Sequence, residues 1–162
     1  IAINLCPSLL LDGDISSFIC DALVSFAVTP SRLNLEVTER FMSDDHERMH
    51  AQLARLQDIG VGISIDEFGT GISSLAACRD LPVDEVKIDQ RFVRNMLVSE
   101  KDHAMVKALV DLAHNFSLQV VAVGVESIAI ADRLAEMRCD MLQGYVFDKP
   151  LPVEEFELEY RI

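Results

Sequence analysis

Six short apolar runs, separated by stretches with helical periodicity, constrain the fold of this chain more than any other feature of its sequence. The runs, of which the last is the weakest, span residues 1–5, 33–37, 61–65, 85–88, 118–123 and 143–147. Between them apolar residues recur every three or four positions, as in Ile15, Ile19 and Leu23. This alternation predicts an α/β fold with parallel strands. A chain of 162 residues then fits a small open sheet or an incomplete barrel of about six βα units, because a closed eight-unit barrel typically needs ~250 residues.

Polar side chains recur on one face of the predicted strands, near their carboxyl ends. Because successive side chains of a strand point to opposite faces, Glu36 lies on the other face of the sheet from Leu35, and Lys87 lies on the other face from Val86. The polar residues that lie on this face, or that follow the strands directly, are Asn4, Glu36, Asp66, Glu67, Lys87, Asp89 and Glu126. A sheet covered by helices on both faces is aliphatic on both, whereas a barrel carries functional residues at the carboxyl ends of several strands. The pattern therefore favours a TIM-like barrel.

The residue types in this set are typical of a site for hard divalent cations. Mg²⁺ and Mn²⁺ prefer carboxylate and amide oxygens, whereas zinc more often recruits His or Cys. Carboxylates around two such cations, with a lysine to meet developing negative charge, suit the hydrolysis of a phosphodiester. Each acid taken alone is more typical of a helix cap or a solvated surface. Their repeated placement at strand ends is what favours the site.

Composition excludes some classes of protein. The chain carries 27 acidic and 14 basic residues, a formal net charge of −13, which argues against a protein that binds nucleic-acid polymers through phosphate contacts. No apolar run reaches the roughly 18 residues of a membrane span, and the first residues lack the basic leader of a signal peptide. The four cysteines, Cys6, Cys20, Cys78 and Cys139, form no C-x-x-C pair. We therefore expect them to be reduced, mostly buried residues of a cytoplasmic protein.

One segment matches a zinc motif. Residues 46–50, HERMH, satisfy the H-E-x-x-H pattern of zinc peptidases. His46 and His50 share a predicted helix face, but they lie at the rim of an apolar stripe that contains Met49 and Leu53. Nothing downstream indicates a third ligand. A solvated helix is therefore the favoured interpretation, and a zinc peptidase is the weaker alternative.

A second pattern consists of six segments that are distributed over essentially the whole chain. They are INLCPSLL, LEVTE, IDEFGTGISSL, LPVDEVKID, VVAVGVES and CDMLQGYVFDKPLP. In order and spacing they resemble the EAL-domain family of bacterial cyclic di-GMP phosphodiesterases, which fold as a modified TIM barrel. The resemblance implies cyclic di-GMP as the ligand and Mg²⁺ or Mn²⁺ as the metal.

The resemblance also implies roles for individual residues. Asn4, Glu36 and Asp66 match metal ligands of the family, and Glu67 matches the second aspartate of its DDFGTG motif, which contacts the other metal. These four residues are the metal ligands that the resemblance implies.

The remaining matches concern catalysis and ligand binding. Lys87 and Asp89 match the catalytic lysine and its neighbouring acid. Glu126 matches the second glutamate of the AEGVE motif, which we assign to the catalytic set. Gln143 matches the glutamine of QGY, and Glu39 matches the glutamate that steadies the loop over the site. The resemblance thus places Gln143 and Glu39 in the ligand-binding part of the site.

Three departures from the family pattern predict impaired catalysis. The signature Glu-Ala-Leu segment, which carries a metal ligand, is absent, and Glu67 replaces an aspartate. Val123 replaces the first glutamate of AEGVE, which is associated with activating the attacking water, and a general base contributes typically 10²–10⁴-fold. We therefore expect an impaired phosphodiesterase; the alternative is a non-catalytic cyclic di-GMP receptor or protein-interaction module.

The resemblance also carries expectations about context. The matched motifs begin about two βα units into the family domain, so residues 1–162 are expected to form its C-terminal two-thirds. On this interpretation the chain is a fragment of a longer polypeptide. The family further implies a homodimer and an upstream sensor or GGDEF-type domain as partners.

Overall fold

Six parallel strands form one curled sheet, a half-barrel, in the sequential order β1 to β6. The computed structural model describes residues 1–12, 14–39, 46–71 and 79–160. The strands are β1 (Ala2–Asn4), β2 (Asn34–Thr38), β3 (Gly62–Phe68), β4 (Glu85–Ile88), β5 (Gln119–Val123) and β6 (Met141–Gln143). The helices are α1 (Pro7–Asp12), α2 (Ile15–Ser25), α3 (His46–Ile59), α4 (Gln90–Asn95), α5 (Glu100–Asn115), α6 (Ile128–Glu136) and α7 (Val153–Tyr160). The predicted incomplete TIM-like barrel is confirmed.

The outer face of the central strands packs against the helices and forms the core. Ile63 and Ile65 of β3 and Val86 and Ile88 of β4 are completely buried, because alternation turns all four toward that side. Helix boundaries follow local chemistry. The Ser99 hydroxyl accepts from the N–H of Asp102 at the start of α5. Because the six strands pair in parallel, their carboxyl ends lie at the same rim of the sheet.

Strand register aligns the polar residues of the inner face. Asn4 pairs with Glu36, Glu36 pairs with Ser64, and Ser64 pairs with Glu85. These four residues lie in one row across β1 to β4. The alternation predicted from the sequence is therefore realised in the central strands.

The sixth strand and the cysteines differ from expectation. The sheet ends with Met141–Gln143, whereas the predicted strand 143–147 forms a turn beyond it, because Gly144 and Phe147 close a backbone hydrogen bond of 3.1 Å.

Cys6 and Cys20 are exposed, so the expectation that they are buried is wrong. Cys139 is half-buried, and all three thiols are free. Cys78 lies outside the described residues.

The β1 edge of the sheet carries an apolar groove of about 400 Å³, here called the edge groove. Its lining comes from β1, α2, β2 and the residues that directly follow β1 and α2, and it includes Ile3, Leu5, Phe18, Phe26 and Leu35. Phe26 is 80% exposed and Ile3 is 49% exposed, although both are large and apolar. In the described ranges, no helix is both long and apolar enough to cross a membrane.

Candidate active site at the carboxyl ends of the strands

Glu36 and Lys87 form a buried ion pair on the inner face of the sheet. The Lys87 ammonium donates to Glu36 Oε1, and each residue is 7% exposed. Glu36 lies on β2 and Lys87 on β4, so the pair spans β3. In a buried pair of this kind each charge compensates the other, and loss of either partner leaves an unpaired charge in a medium of low dielectric. The structure thus joins a predicted metal ligand directly to the predicted catalytic lysine.

A second polar group lies beside this pair on the same face. Glu85 Oε1 accepts from Ser64 Oγ at 2.6 Å and from Asn34 Nδ2 at 3.3 Å. Asn34 Nδ2 also donates to Ser64 Oγ at 2.5 Å. The sequence analysis did not single out Glu85, although the same alternation that selected Lys87 places Glu85 two positions earlier on the same face.

A β-bulge positions Asp66 and Glu67 at the rim. The pairing of β3 with β4 passes from Ile65–Val86 to Phe68–Ile88, so β3 uses one more residue than β4. Glu67 takes up this residue at φ 55°, in the left-handed region. Asp66 therefore stays on the inner face, while Phe68, two residues later, is completely buried on the outer one. Without the bulge, Asp66 and Phe68 would share a face.

Glu39 supports the glycine-rich loop that follows β3. Its Oε2 accepts from the backbone N–H of Gly69 at 3.0 Å and of Gly71 at 3.2 Å. Glu39 is 1% exposed, and a Cβ on Gly71 would lie 2.6 Å from Glu39 Oε1. A side chain at position 71 therefore conflicts with this contact. The loop is thereby tied to the end of β2.

Asp89 is occupied at the start of α4. Its carboxylate accepts from the backbone N–H of Arg91 at 2.7 Å, as a helix cap, and from Arg91 Nε at 2.9 Å. This hydrogen bond to Asp89 raises the pKa of Arg91 above its usual value. In this arrangement Asp89 fixes the beginning of the helix that follows the strand of Lys87.

Glu126 and Gln143 line one cavity of about 250 Å³ beyond β5 and β6. Arg94 Nη2 and Glu126 Oε1 are 2.7 Å apart across its wall, and Val123 and Tyr145 also line it. Gly144 lets the chain pass close by, because a Cβ there would meet the Val125 oxygen at 2.1 Å. Val123 therefore shares a cavity with two of the predicted site residues.

The four residues expected to bind metal supply suitable donors, but they are not assembled for it. Asn4, Glu36, Asp66 and Glu67 offer the amide and carboxylate oxygens that Mg²⁺ or Mn²⁺ prefers. They come from three adjacent strands near the same rim. Among the described residues no three His, Cys, Asp or Glu side chains are grouped to hold an ion. Glu36 is instead bonded to Lys87.

The H-E-x-x-H segment forms the start of α3, as the solvated-helix interpretation requires. Glu47 and His50 are exposed there, whereas Met49 is buried in the core. The placement of the His46 side chain lies outside what the structure describes.

Comparison with known proteins gives consistent relatives. The EAL-domain family profile matches residues 1–150. Cyclic di-GMP phosphodiesterase NbdA of Pseudomonas aeruginosa is 38% identical over 164 residues, covering 99% of this chain and 21% of NbdA. The solved MucR phosphodiesterase of the same species, in complex with cyclic di-GMP, has a TM-score of 0.91 and 38% identity, covering 96% of this chain and 63% of that one.

Metal complexes are also among the similar structures. Klebsiella pneumoniae BlrP1, solved with manganese and cyclic di-GMP, has a TM-score of 0.86 and 29% identity, covering 92% of this chain and 38% of that one. A calcium complex of BlrP1 matches as well. The chain spans about a fifth to a quarter of the length of the curated relatives that it matches. Because the family profile covers nearly the whole chain and solved EAL structures share its fold, this chain belongs to the EAL-domain family.

Proposed function

We propose that this chain carries a cyclic di-GMP site of the metal-dependent phosphodiesterase type, with impaired hydrolysis to the linear dinucleotide. The observation that carries the proposal is the buried Glu36–Lys87 pair on the inner face, close to the bulged Asp66 and Glu67. A buried ammonium among carboxylates at the carboxyl rim of a barrel suits a phosphate substrate. The cyclic di-GMP complexes of MucR and BlrP1 support the choice of ligand.

Asn4, Glu36, Asp66 and Glu67 would hold Mg²⁺ or Mn²⁺. When bound, a pair of such ions activates water and clamps the phosphate oxygens. The donor types fit this role, and the manganese complex of BlrP1 supports it. The added methylene of Glu67, compared with an aspartate, moves its carboxylate by about one bond length.

The other residues act on the ligand or hold the site in shape. Lys87 places a positive charge where negative charge develops on the phosphate, which is a large part of such catalysis. Glu126 and Gln143 bind the ligand from the cavity that they share, and Glu126 also belongs to the catalytic set. Asp89 and Glu39 keep the flanking helix and loop in position through their backbone contacts.

A non-catalytic cyclic di-GMP receptor, or a protein-interaction module, is the second candidate. Val123 favours it, because valine cannot accept a proton and yet lines the same cavity as Glu126 and Gln143. Loss of a general base removes typically 10²–10⁴-fold in rate, whereas binding groups remain in place. Binding is therefore expected to persist where hydrolysis is slow.

The chain's context follows from the same family. Residues 1–162 correspond to the C-terminal part of an EAL domain in a longer cytoplasmic polypeptide. A homodimer and an upstream sensor or GGDEF-type domain are its proposed partners. The name of MucR, a bifunctional diguanylate cyclase and phosphodiesterase, supports the GGDEF-type partner.

Incubation with cyclic di-GMP and Mn²⁺, followed by chromatography, tests the proposal. Slow formation of the linear product is expected, with loss in Asp66→Ala and retention in the control Asp58→Ala, which removes an exposed acid of α3. Val123→Glu is expected to raise the rate. If the folded chain gives no product yet binds cyclic di-GMP in a titration, the receptor is correct; absence of both would contradict the proposal.

A further inference from the structure

Arg94 pairs with Glu126 at the wall of the cavity beyond β5 and β6. Arg94 Nη2 and Glu126 Oε1 are 2.7 Å apart, and the two side chains are 45% and 42% exposed. Gln143 and Tyr145 line the same cavity. An ion pair that is this exposed to water contributes little to the stability of a fold. Stability therefore does not explain the pair, and the proposed function assigns no role to Arg94.

The backbone around Arg94 holds this residue against the loop that follows β5. Gly124 has a φ of 83°, in the left-handed region, and a Cβ there would lie 2.5 Å from Gln90 Cβ and 3.5 Å from Arg94 Nε. Helix α4 therefore packs closely against the loop, and Arg94 lies one turn after Gln90 on the same side of this helix. Because Asp89 caps the start of α4, the helix presents Arg94 to Glu126 from a fixed position.

The backbone that carries Glu126 is fixed from the side of β6 as well. The N–H groups of Gly124 and Val125 donate to the Gln143 carbonyl oxygen at 2.8 and 3.0 Å, and the N–H of Val146 donates to the Val125 oxygen at 3.1 Å. These bonds leave the torsions of the Glu126 side chain itself to be ordered. A side chain that is ordered before the ligand arrives does not have to be ordered at the expense of binding free energy.

We propose that Arg94 is a positioning residue that holds the Glu126 carboxylate at the cavity and thereby raises the affinity for cyclic di-GMP. This inference rests on the proposed function, because it takes Glu126 as a group that binds the ligand. The ion pair engages Oε1, so that Oε2 can accept from the N–H groups of a guanine or from a ribose hydroxyl. Arg94 also offsets the negative charge of Glu126, which would otherwise repel the phosphates of the ligand.

Calorimetric titration with cyclic di-GMP, first without added metal so that hydrolysis does not consume the ligand, tests this inference. Arg94→Met removes the guanidinium but keeps an unbranched side chain, and we expect it to weaken binding by about tenfold. Arg94→Lys keeps the charge without the planar fork and is expected to weaken binding by about threefold.

Arg133→Met is the matched control for the loss of an exposed arginine. Arg133 Nη1 and Glu136 Oε2 are 2.8 Å apart in a pair that is also exposed, and neither residue lines the cavity. This control is expected to change the affinity for cyclic di-GMP by less than about twofold. Equal effects of Arg94→Met and Arg133→Met would overturn the inference.

A double-mutant cycle separates the positioning of Glu126 from direct contact between Arg94 and the ligand. In a Glu126→Gln background, Arg94→Met is expected to change the affinity by less than about twofold, because the carboxylate that Arg94 holds is absent. The full loss in that background would mean that Arg94 contacts the ligand itself, and it would overturn the inference. If Glu126→Gln binds too weakly to titrate, the contrast between Arg94→Met and Arg133→Met decides alone.

Urea unfolding of each variant checks that it is folded. Should Arg94→Met fail to fold, Arg94→Gln, which is neutral but polar, takes its place with the same expected loss of affinity. Binding by the wild-type chain that is indifferent to Arg94 would contradict this inference alone. A wild-type chain that binds no cyclic di-GMP, with or without Mn²⁺, would contradict the proposed function, and the inference falls with it.

Discussion

The inner face of β2 to β4 buries polar side chains, whereas the edge groove beside β1 exposes apolar ones. On the inner face polar groups are buried and bonded to one another, as in the Glu36–Lys87 pair. In the edge groove apolar groups such as Ile3 and Phe26 are exposed. All three residues of β1 are exposed, whereas β2 and β4 are mostly buried. The position of a strand, at the centre or at the edge of the sheet, therefore decides whether its side chains are buried or are open to association.

The largest effect is expected from breaking the inner pair. Lys87→Met leaves Glu36 buried without its partner, which costs about 3–5 kcal/mol of unfolding free energy. The double variant Lys87→Met/Glu36→Gln removes both charges and is expected to recover most of that loss. Urea unfolding measures both. If Lys87→Met were as stable as the wild type, the Glu36–Lys87 pair would be solvated. The inner face would then not differ from the edge groove in burial.

Matched aliphatic truncations measure the same contrast without charge. Ile63→Ala opens a cavity in the fully buried core and is expected to cost about 2–5 kcal/mol. Ile3→Ala removes a side chain that is already half exposed and is expected to cost less than about 1 kcal/mol. Equal losses in urea unfolding would show that the groove is covered in solution.

Thiol reactivity extends the comparison to the opposite edge of the sheet, where Cys139 precedes β6. A hydrogen bond from Ser8 lowers the pKa of the exposed Cys6, whereas burial raises the pKa of Cys139 to about 11. At pH 8 about one Cys139 thiol in a thousand is ionised, so we expect it to react with iodoacetamide at least about 100-fold more slowly than Cys6. Mass spectrometry of timed samples measures the order. Comparable rates would mean that the region around Cys139 opens readily.

The smallest effect is expected at Asp140, which links α5 to β5 near the surface. Partial burial raises the pKa of Asp140, but hydrogen bonds from His114 and from the N–H of Val120 together lower it by more, so the net pKa is depressed. A depressed folded pKa stabilises the fold above the unfolded value, and the contribution is lost as pH falls through both values. Asp140→Asn is expected to cost less than about 1 kcal/mol at pH 7, because the pair is exposed.

The control for Asp140 is the pH profile itself. The difference in unfolding free energy between wild type and Asp140→Asn is expected to shrink between about pH 5 and pH 2. A difference that stays constant with pH would mean that the carboxylate acts by its shape alone.

The sequence predicted the central strands and most inner residues because alternation is a local property. Glu36 and Lys87 could be placed on one face in this way, but their contact across β3 depends on register and side-chain reach. The bulge at Glu67 was not predictable, because Asp66 and Phe68 have the same parity and a regular strand would put them together. The last strand was predicted at 143–147 but lies at Met141–Gln143. The apolar residues after Gly144 resemble a strand, although Gly144 favours a turn there.

The sequential order of the strands has a consequence for how the chain assembles. Each described strand after β1 pairs with the one that precedes it, and the paired residues are 20 to 34 positions apart in the sequence. Short closures cost little conformational entropy and favour fast folding. During synthesis each βα unit can therefore dock on the previous one as it leaves the ribosome, and an open edge moves along the sheet until the next strand covers it.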